Sequence, residues 1–299
     1  MQKRILRMVL SAALVAMVVS SLAGCGGSEE IKTPVGNITA TEAQHETTVQ
    51  HTTQSNAVVA TVEENVMIDN DEIKITALSL GRDQYYHILN LSIENKTSSD
   101  LYVMASRTAV NGFVVEPTMG VNVSAGSTTQ GEFKVRKSYV QSDIIADIET
   151  RFSYSSSDYS VNTKTERVKL ETSAAATFDY SYDESGTVLH DADGIKIVCK
   201  GWSDNGYPII YVYSTGELSE GCCVEEDELY VNGKKTYSNY CAWVFPNTRN
   251  LAELDINDTD LDGNEIGKVE SIKVSFKASK ENLADSNPLR TELVEIPVK

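Results

Sequence analysis

Four cysteines fall in the C-terminal half of the chain, Cys199, Cys222, Cys223 and Cys241, and an even set of thiols can oxidise to disulfides. The Asn232-Gly233 pair is a hairpin signal; a regular hairpin there sets Cys241 opposite Val224 and beside Cys223. A Cys223–Cys241 bridge is therefore the expected pair, with Cys199–Cys222 as a second, and buried thiols are the alternative. Zinc is disfavoured, because Cys222-Cys223 lacks the spacer of a zinc knuckle and no histidine lies nearby. Asp258-Thr259-Asp260-Leu261-Asp262-Gly263-Asn264 opens as a calcium loop does, with carboxylates at alternate positions and a glycine for the turn. Where such a loop ends in an acid, this one has Val269, and Glu270 comes one residue late. The stretch reads as an acidic turn, with calcium binding by Asp258, Asp260 and Asp262 as the alternative.

Catalytic chemistry finds little support. The four histidines are His45, His51, His87 and His190, of which the first two lie in a polar stretch and the others in different halves of the chain. No nucleophile elbow, zinc-protease helix or phosphate-cradling glycine loop occurs, and acid pairs such as Glu225-Glu226 read as solvated loop. The chain is expected to be no enzyme and to need no cofactor or metal. What remains is aromatic: Tyr154, Tyr159, Tyr180, Tyr182, Trp202, Tyr207, Tyr237, Tyr240 and Trp243 include several near turns. Exposed rings there could stack on sugars or anchor a protein contact, and Trp202 and Trp243 are the candidate binding pair.

The elements that must position these groups are short strands. Ile73, Ile75 and Ala77 alternate with Lys74 and Thr76, and Leu89, Leu91 and Ile93 alternate with Asn90, Ser92 and Glu94. Period two marks half-buried strands, and their number and spacing predict antiparallel sandwiches. The order then recurs: Ile73-Lys74-Ile75 is answered by Ile195-Lys196-Ile197, and Val110-Asn111-Gly112 by Val231-Asn232-Gly233. Ile148, Phe152, Thr165 and Val168 likewise correspond to Ile272, Phe276, Thr291 and Val294. The chain is read as a tandem duplication of two units that each close a core, residues 61–172 and 187–299, separated by a polar boundary between Ser173 and Gly186.

Ahead of the strands the composition changes twice. Residues 1–24 carry Lys3, Arg4 and Arg7, then an apolar run from Met8 to Val19 too short for a permanent membrane span, which together read as an export signal. Residues 25–60 are mostly small and polar, a composition that cannot offset its ordering entropy and so predicts a flexible linker. The net charge of −17 disfavours nucleic acid and anionic lipid surfaces as partners.

Two resemblances follow from these residues. Leu22-Ala23-Gly24-Cys25 resembles the lipobox of bacterial lipoproteins, which implies removal of residues 1–24 and a diacylglyceryl anchor on Cys25 at the extracellular face of the cytoplasmic membrane. The strand at Ile73, the strand ending Ile93-Glu94-Asn95-Lys96-Thr97 and the Val-Asn-Gly turn are similar to telokin-like, immunoglobulin-fold domains of unknown function on Gram-positive surface lipoproteins. The resemblance implies two tandem immunoglobulin-like antiparallel β-sandwiches and supplies no catalytic residues. The second copy departs from it at Tyr211-Val212-Tyr213-Ser214 and in its added cysteines. The expected role is a non-catalytic binding or adhesion module for an envelope protein or polysaccharide, with a structural spacer, or a secreted inhibitor or enzyme, as alternatives.

Overall fold

A computed structural model describes residues 60–216, 221–280 and 288–298; the signal segment, Cys25, His45 and His51 lie outside the described residues. The first half forms β1 (Asn65–Asp69), β2 (Ile73–Arg82), β3 (Tyr86–Asn95), β4 (Leu101–Val110), β5 (Phe113–Val115), β6 (Pro117–Thr118), β7 (Gly120–Val123), β8 (Thr128–Arg136), β9 (Asp147–Ser156) and β10 (Asn162–Glu171). The second forms β11 (Thr187–Ala192), β12 (Ile195–Trp202), β13 (Pro208–Ser214), β14 (Cys222–Val231), β15 (Lys234–Thr236), β16 (Cys241–Val244), β17 (Arg249–Glu253), β18 (Ile272–Lys280), β19 (Leu289–Arg290) and β20 (Val294–Ile296). Between β8 and β9 the described helical structure is one 3-10 turn, Lys137–Tyr139.

The pairing scheme of the first half returns in the second. The ladder β1-β2-β3-β8 reappears as β11-β12-β13-β17, and β10-β9-β4, flanked by β5 and β7, reappears as β20-β18-β14, flanked by β15 and β16. Each pair of ladders encloses an apolar core. One contains Ile73, Ile75, Leu91, Val103, Phe133 and Phe152; the other contains Ile197, Val212, Leu229, Val274 and Phe276, together with Cys199 and Cys222. The alternating residues of the sequence thus fill two all-β, antiparallel sandwiches.

Side-chain clamps recur with the ladders. Both Asn-Gly turns have positive φ at both residues, 51° and 79° at Asn111-Gly112 and 52° and 75° at Asn232-Gly233, as a tight hairpin requires. Asn111 Oδ1 accepts the Ala146 N–H at 2.7 Å and Asn232 Oδ1 accepts the Glu270 N–H at 2.7 Å, tying each turn to the loop beside it. Thr165 Oγ1 accepts from the Phe152 N–H, and Thr291 Oγ1 accepts from the Phe276 N–H, at equivalent places near the sheet edge.

The two sandwiches share a sheet. β5 pairs with β17 in parallel at Phe113 and Arg249, so one nine-stranded sheet runs from β10 to β11. The segment read as a polar boundary is instead a strap with period two: Phe178, Tyr180, Tyr182 and Glu184 are half-buried, while Asp179, Ser181, Asp183 and Ser185 face solvent. Tyr182 joins Phe113, Val198, Tyr211, Tyr213 and Leu251 in a third apolar cluster at the junction. This accounts for the departure of the second copy. Tyr211 precedes Val212 as Ser92 precedes Ile93, so the face that is solvated on the first sandwich is covered on the second.

Candidate functional site

The strap, the Asn111-Gly112 turn and the start of β17 converge on an open cleft of about 330 Å³, lined by Asn111, Phe113, Gln141, Ser142, Phe178 to Tyr182 and Arg249. Its aromatic wall is built from edges and faces. Tyr182 stacks on Tyr211 at 5.2 Å and meets Phe113 edge-on at 5.0 Å, while Phe178 meets Tyr180 edge-on at 4.9 Å. Arg249 fixes the floor: its backbone N–H donates to Gly112 O at 2.8 Å and its Nη1 to Tyr180 O at 3.0 Å. Its guanidinium lies 5.8 Å from the Phe113 ring and 5.5 Å from the Tyr213 ring, within cation–π range.

A hydrogen-bonded chain holds the wall from behind. The Tyr211 hydroxyl donates to Glu184 Oε1 at 2.9 Å, and Lys196 Nζ donates to Glu184 Oε2 at 2.8 Å. The Lys196 hydrogen bond keeps the Glu184 carboxyl ionised below its usual range. Burial raises the Tyr180, Tyr182 and Tyr211 phenols, reinforced by Asp147 at Tyr180 and by Glu184 at Tyr211, so all three remain neutral at physiological pH. The cleft therefore offers neutral rings, the Gln141 amide, the Ser142 and Ser181 hydroxyls and one fixed cation. Its lining also includes the Asp179 carboxylate, which accepts the Ser181 N–H at 2.9 Å, and contains no histidine, cysteine or lysine.

Apart from Tyr180 and Tyr182, the residues singled out from the sequence lie elsewhere. Trp202 is half-buried against the second core, its indole N–H donating to Pro297 O at 3.0 Å. Trp243 is also half-buried, with the Arg107 guanidinium of the first sandwich 3.4 Å above its ring. Tyr154 and Tyr240 are buried, and Tyr159 and Tyr237 are exposed singly. Cys223 and Cys241 form a disulfide, with Cys241 opposite Glu225 rather than Val224, one residue from the expected register. Cys199 and Cys222 are buried thiols; burial raises both, Cys222 to about 11.

In the acidic turn, Asp260 Oδ1 accepts the Asp262 and Asn264 N–H groups and Lys234 Nζ stands 3.8 Å from Oδ2, so the central carboxylate is committed within the protein. Among the described residues, the trio of His, Cys, Asp or Glu whose ligand atoms lie within 4.8 Å of one another is Cys223, Glu225 and Cys241, two of them joined as the disulfide.

His87 and His190 sit on different sandwiches. His190 Nε2 lies 3.2 Å from Ala192 O, whereas His87 is buried, with Nε2 unpartnered among the described residues and a 70 Å³ cavity alongside. Burial holds the His87 imidazole below its ordinary 6.5. On acidification the unfolded chain takes up this proton first, so stability is expected to fall as pH drops below 6.5 until the folded imidazole also titrates. Denaturant midpoints measured from pH 7.5 to 5 should decline less steeply for His87→Gln than for the wild type.

Sequence reasoning named Tyr180 and Tyr182 but missed Phe178, Gln141, Ser142 and Arg249. The available signal was the alternation Phe178-Asp179-Tyr180-Ser181-Tyr182-Asp183-Glu184, a strand pattern inside a stretch rich in polar residues.

No family model and no curated protein matches the chain. Among solved structures, the YadV chaperone is similar at 15% identity over 70% of this chain and 92% of its own, with a TM-score of 0.25. A FixG-related protein from Vibrio parahaemolyticus matches at 11% identity over 35% of this chain and 99% of its own, TM-score 0.23. A structure of the Salmonella enterica SafA pilin in complex with the SafB chaperone matches at 11% identity over 76% of this chain and 98% of its own, TM-score 0.23. The fold described above rests on the chain's own strand pairing.

Proposed function

We propose that this chain is a non-catalytic binding module of the bacterial cell envelope, anchored by a diacylglyceryl group on Cys25, and that its junction cleft takes a polysaccharide. The observation that carries this reading is the composition of the cleft: half-buried aromatic faces beside amides, hydroxyls, the Asp179 carboxylate and a fixed guanidinium, open to solvent at the seam of the two sandwiches. Sugar rings present apolar C–H faces and a rim of hydroxyls, which such a surface matches. Cleft volume favours a short stretch of polymer, one or two rings, over a large globular partner.

Co-sedimentation of the mature chain with purified cell walls, and with polysaccharide released from them, tests the reading. Saturable retention is expected, weakened about tenfold by Phe178→Ala or Gln141→Ala, as loss of a stacking or hydrogen-bonding group requires. Cys25→Ser should move the protein from the membrane fraction to the medium. Absence of retention in every arm would sink the binding reading and leave the spacer role, which the continuous sheet between the sandwiches also suits.

A further inference from the structure

At the end of the first sandwich, the turn between β2 and β3 and the turn after β8 form a second surface that has nothing to do with the junction cleft. Asp83 Oδ1 accepts the Tyr85 and Tyr86 N–H groups, both at 2.7 Å, which folds the turn tightly and leaves Tyr85 64% exposed. Across the sheet, the Lys137 N–H donates to Tyr85 O at 2.9 Å, and the 3-10 turn that follows presents Tyr139, 46% exposed. Arg136 stands between the two turns, its guanidinium 6.0 Å from the Tyr86 ring and 6.0 Å from the Tyr139 ring. An open hollow of about 540 Å³ lies among Tyr85, Tyr86, Arg136, Lys137 and Ser138.

The charges here run against those of the molecule. The chain has 43 Asp and Glu against 26 Lys and Arg, so an exposed cation should readily meet an acid. Yet Arg136 forms no ion pair among the described residues, and Lys137 Nζ donates to the Asp83 carbonyl rather than to its carboxylate. The Asp83 carboxylate accepts backbone N–H groups, which keep it ionised, and its charge faces Lys134 and Lys137, while Glu132 is paired with Lys134 at 2.6 Å. What remains is the Arg136 guanidinium, a cation without an acid at the hollow, framed by three tyrosines on an acidic protein.

We infer that this patch docks a short acidic segment of a partner protein. Guanidinium groups bind carboxylates through paired, charge-assisted hydrogen bonds, and tyrosines supply rigid amphipathic contact at small entropic cost. The net charge decides against a long polyanion. Screening acts over about 8 Å at physiological salt, so a segment of a few residues feels the local patch, while a long polymer would also meet the acidic surface around it.

The test uses the full chain purified in detergent and two capped synthetic probes, hexaglutamate and hexaglutamine, with inorganic polyphosphate as a third. Hexaglutamate should bind, weaken about tenfold with Arg136→Gln and with Tyr85→Ala, and weaken again as salt rises from 50 to 500 mM. Both substitutions are at exposed positions, so an unchanged thermal midpoint confirms that the variants are folded. Hexaglutamine should not bind, and polyphosphate should bind less tightly than hexaglutamate. Equal binding of the glutamate and glutamine peptides, tighter binding of polyphosphate, no binding of hexaglutamate, or insensitivity to Arg136→Gln would each overturn the inference. The junction-cleft variant Phe178→Ala should leave hexaglutamate binding unchanged, which separates this surface from the polysaccharide reading.

Discussion

Tyr211→Ala is expected to cost about 3–5 kcal/mol of folding stability, the range for removing a large buried side chain whose cavity cannot fully collapse. Tyr211 has no exposed surface, stacks on Tyr182 and is within the cluster that joins the two sandwiches. Its hydroxyl also holds Glu184, so the substitution removes the polar pin of the strap together with the apolar one. Tyr211→Phe isolates the pin: it keeps the ring and should cost only about 1–2 kcal/mol, because Glu184 retains Lys196. Urea denaturation checks both magnitudes. Chymotrypsin checks the location, since a released strap exposes Phe178, Tyr180 and Tyr182, and cleavage between residues 173 and 186 should accelerate in Tyr211→Ala. An alanine variant as stable and as protease-resistant as wild type would mean that the strap is held by something other than this stack.

The strands were legible because each alternates on its own: Ile73-Lys74-Ile75 and Leu89 to Glu94 show which side is buried without reference to any neighbour. The duplication was legible because the Asn-Gly turns need positive φ at both positions, a demand few other residue pairs meet, and so mark equivalent places in the two halves. The junction was harder to see. Tyr211 and Tyr213 look like ordinary strand residues until Tyr182 and Phe113 are laid against them, and a residue's cover by a distant segment leaves no local trace. The candidate tryptophans show the same limit from the other side. Each sits near a turn as a binding residue would, but Trp243 lies under Arg107 from the far sandwich and Trp202 is tied to Pro297. The cysteine apposition could be approached by counting from the Asn232-Gly233 turn. The count missed by one residue because β15 ends at Thr236 and the chain leaves the ladder before β16 begins at Cys241.

That bridge supports the second large prediction. Replacing Cys223 and Cys241 together by alanine is expected to destabilise the chain by about 3 kcal/mol, as opening an 18-residue separation predicts on chain-entropy grounds. The effect should extend beyond the hairpin. Cys223 is paired with Trp243 across β14 and β16, and Asn250 Nδ2 of β17 donates to Trp243 O at 3.1 Å. β17 is in turn the strand that meets β5 of the first sandwich at Arg249, so the bridge braces both the Trp243 ring beneath Arg107 and the floor of the junction cleft. Loosening β16 should therefore expose Trp243 before the second core opens, because β16 gives that core only Ala242 and Val244, while its larger residues, among them Val212, Leu229, Val274 and Phe276, stand on other strands. In a Trp202→Phe background, where Trp243 is the sole indole, the fluorescence of the double-alanine variant should shift to the red at urea concentrations that leave the far-ultraviolet circular dichroism unchanged. Coincident transitions by the two probes would show that the bridge stabilises only the global fold, and that the contact between Arg107 and Trp243 stands without it.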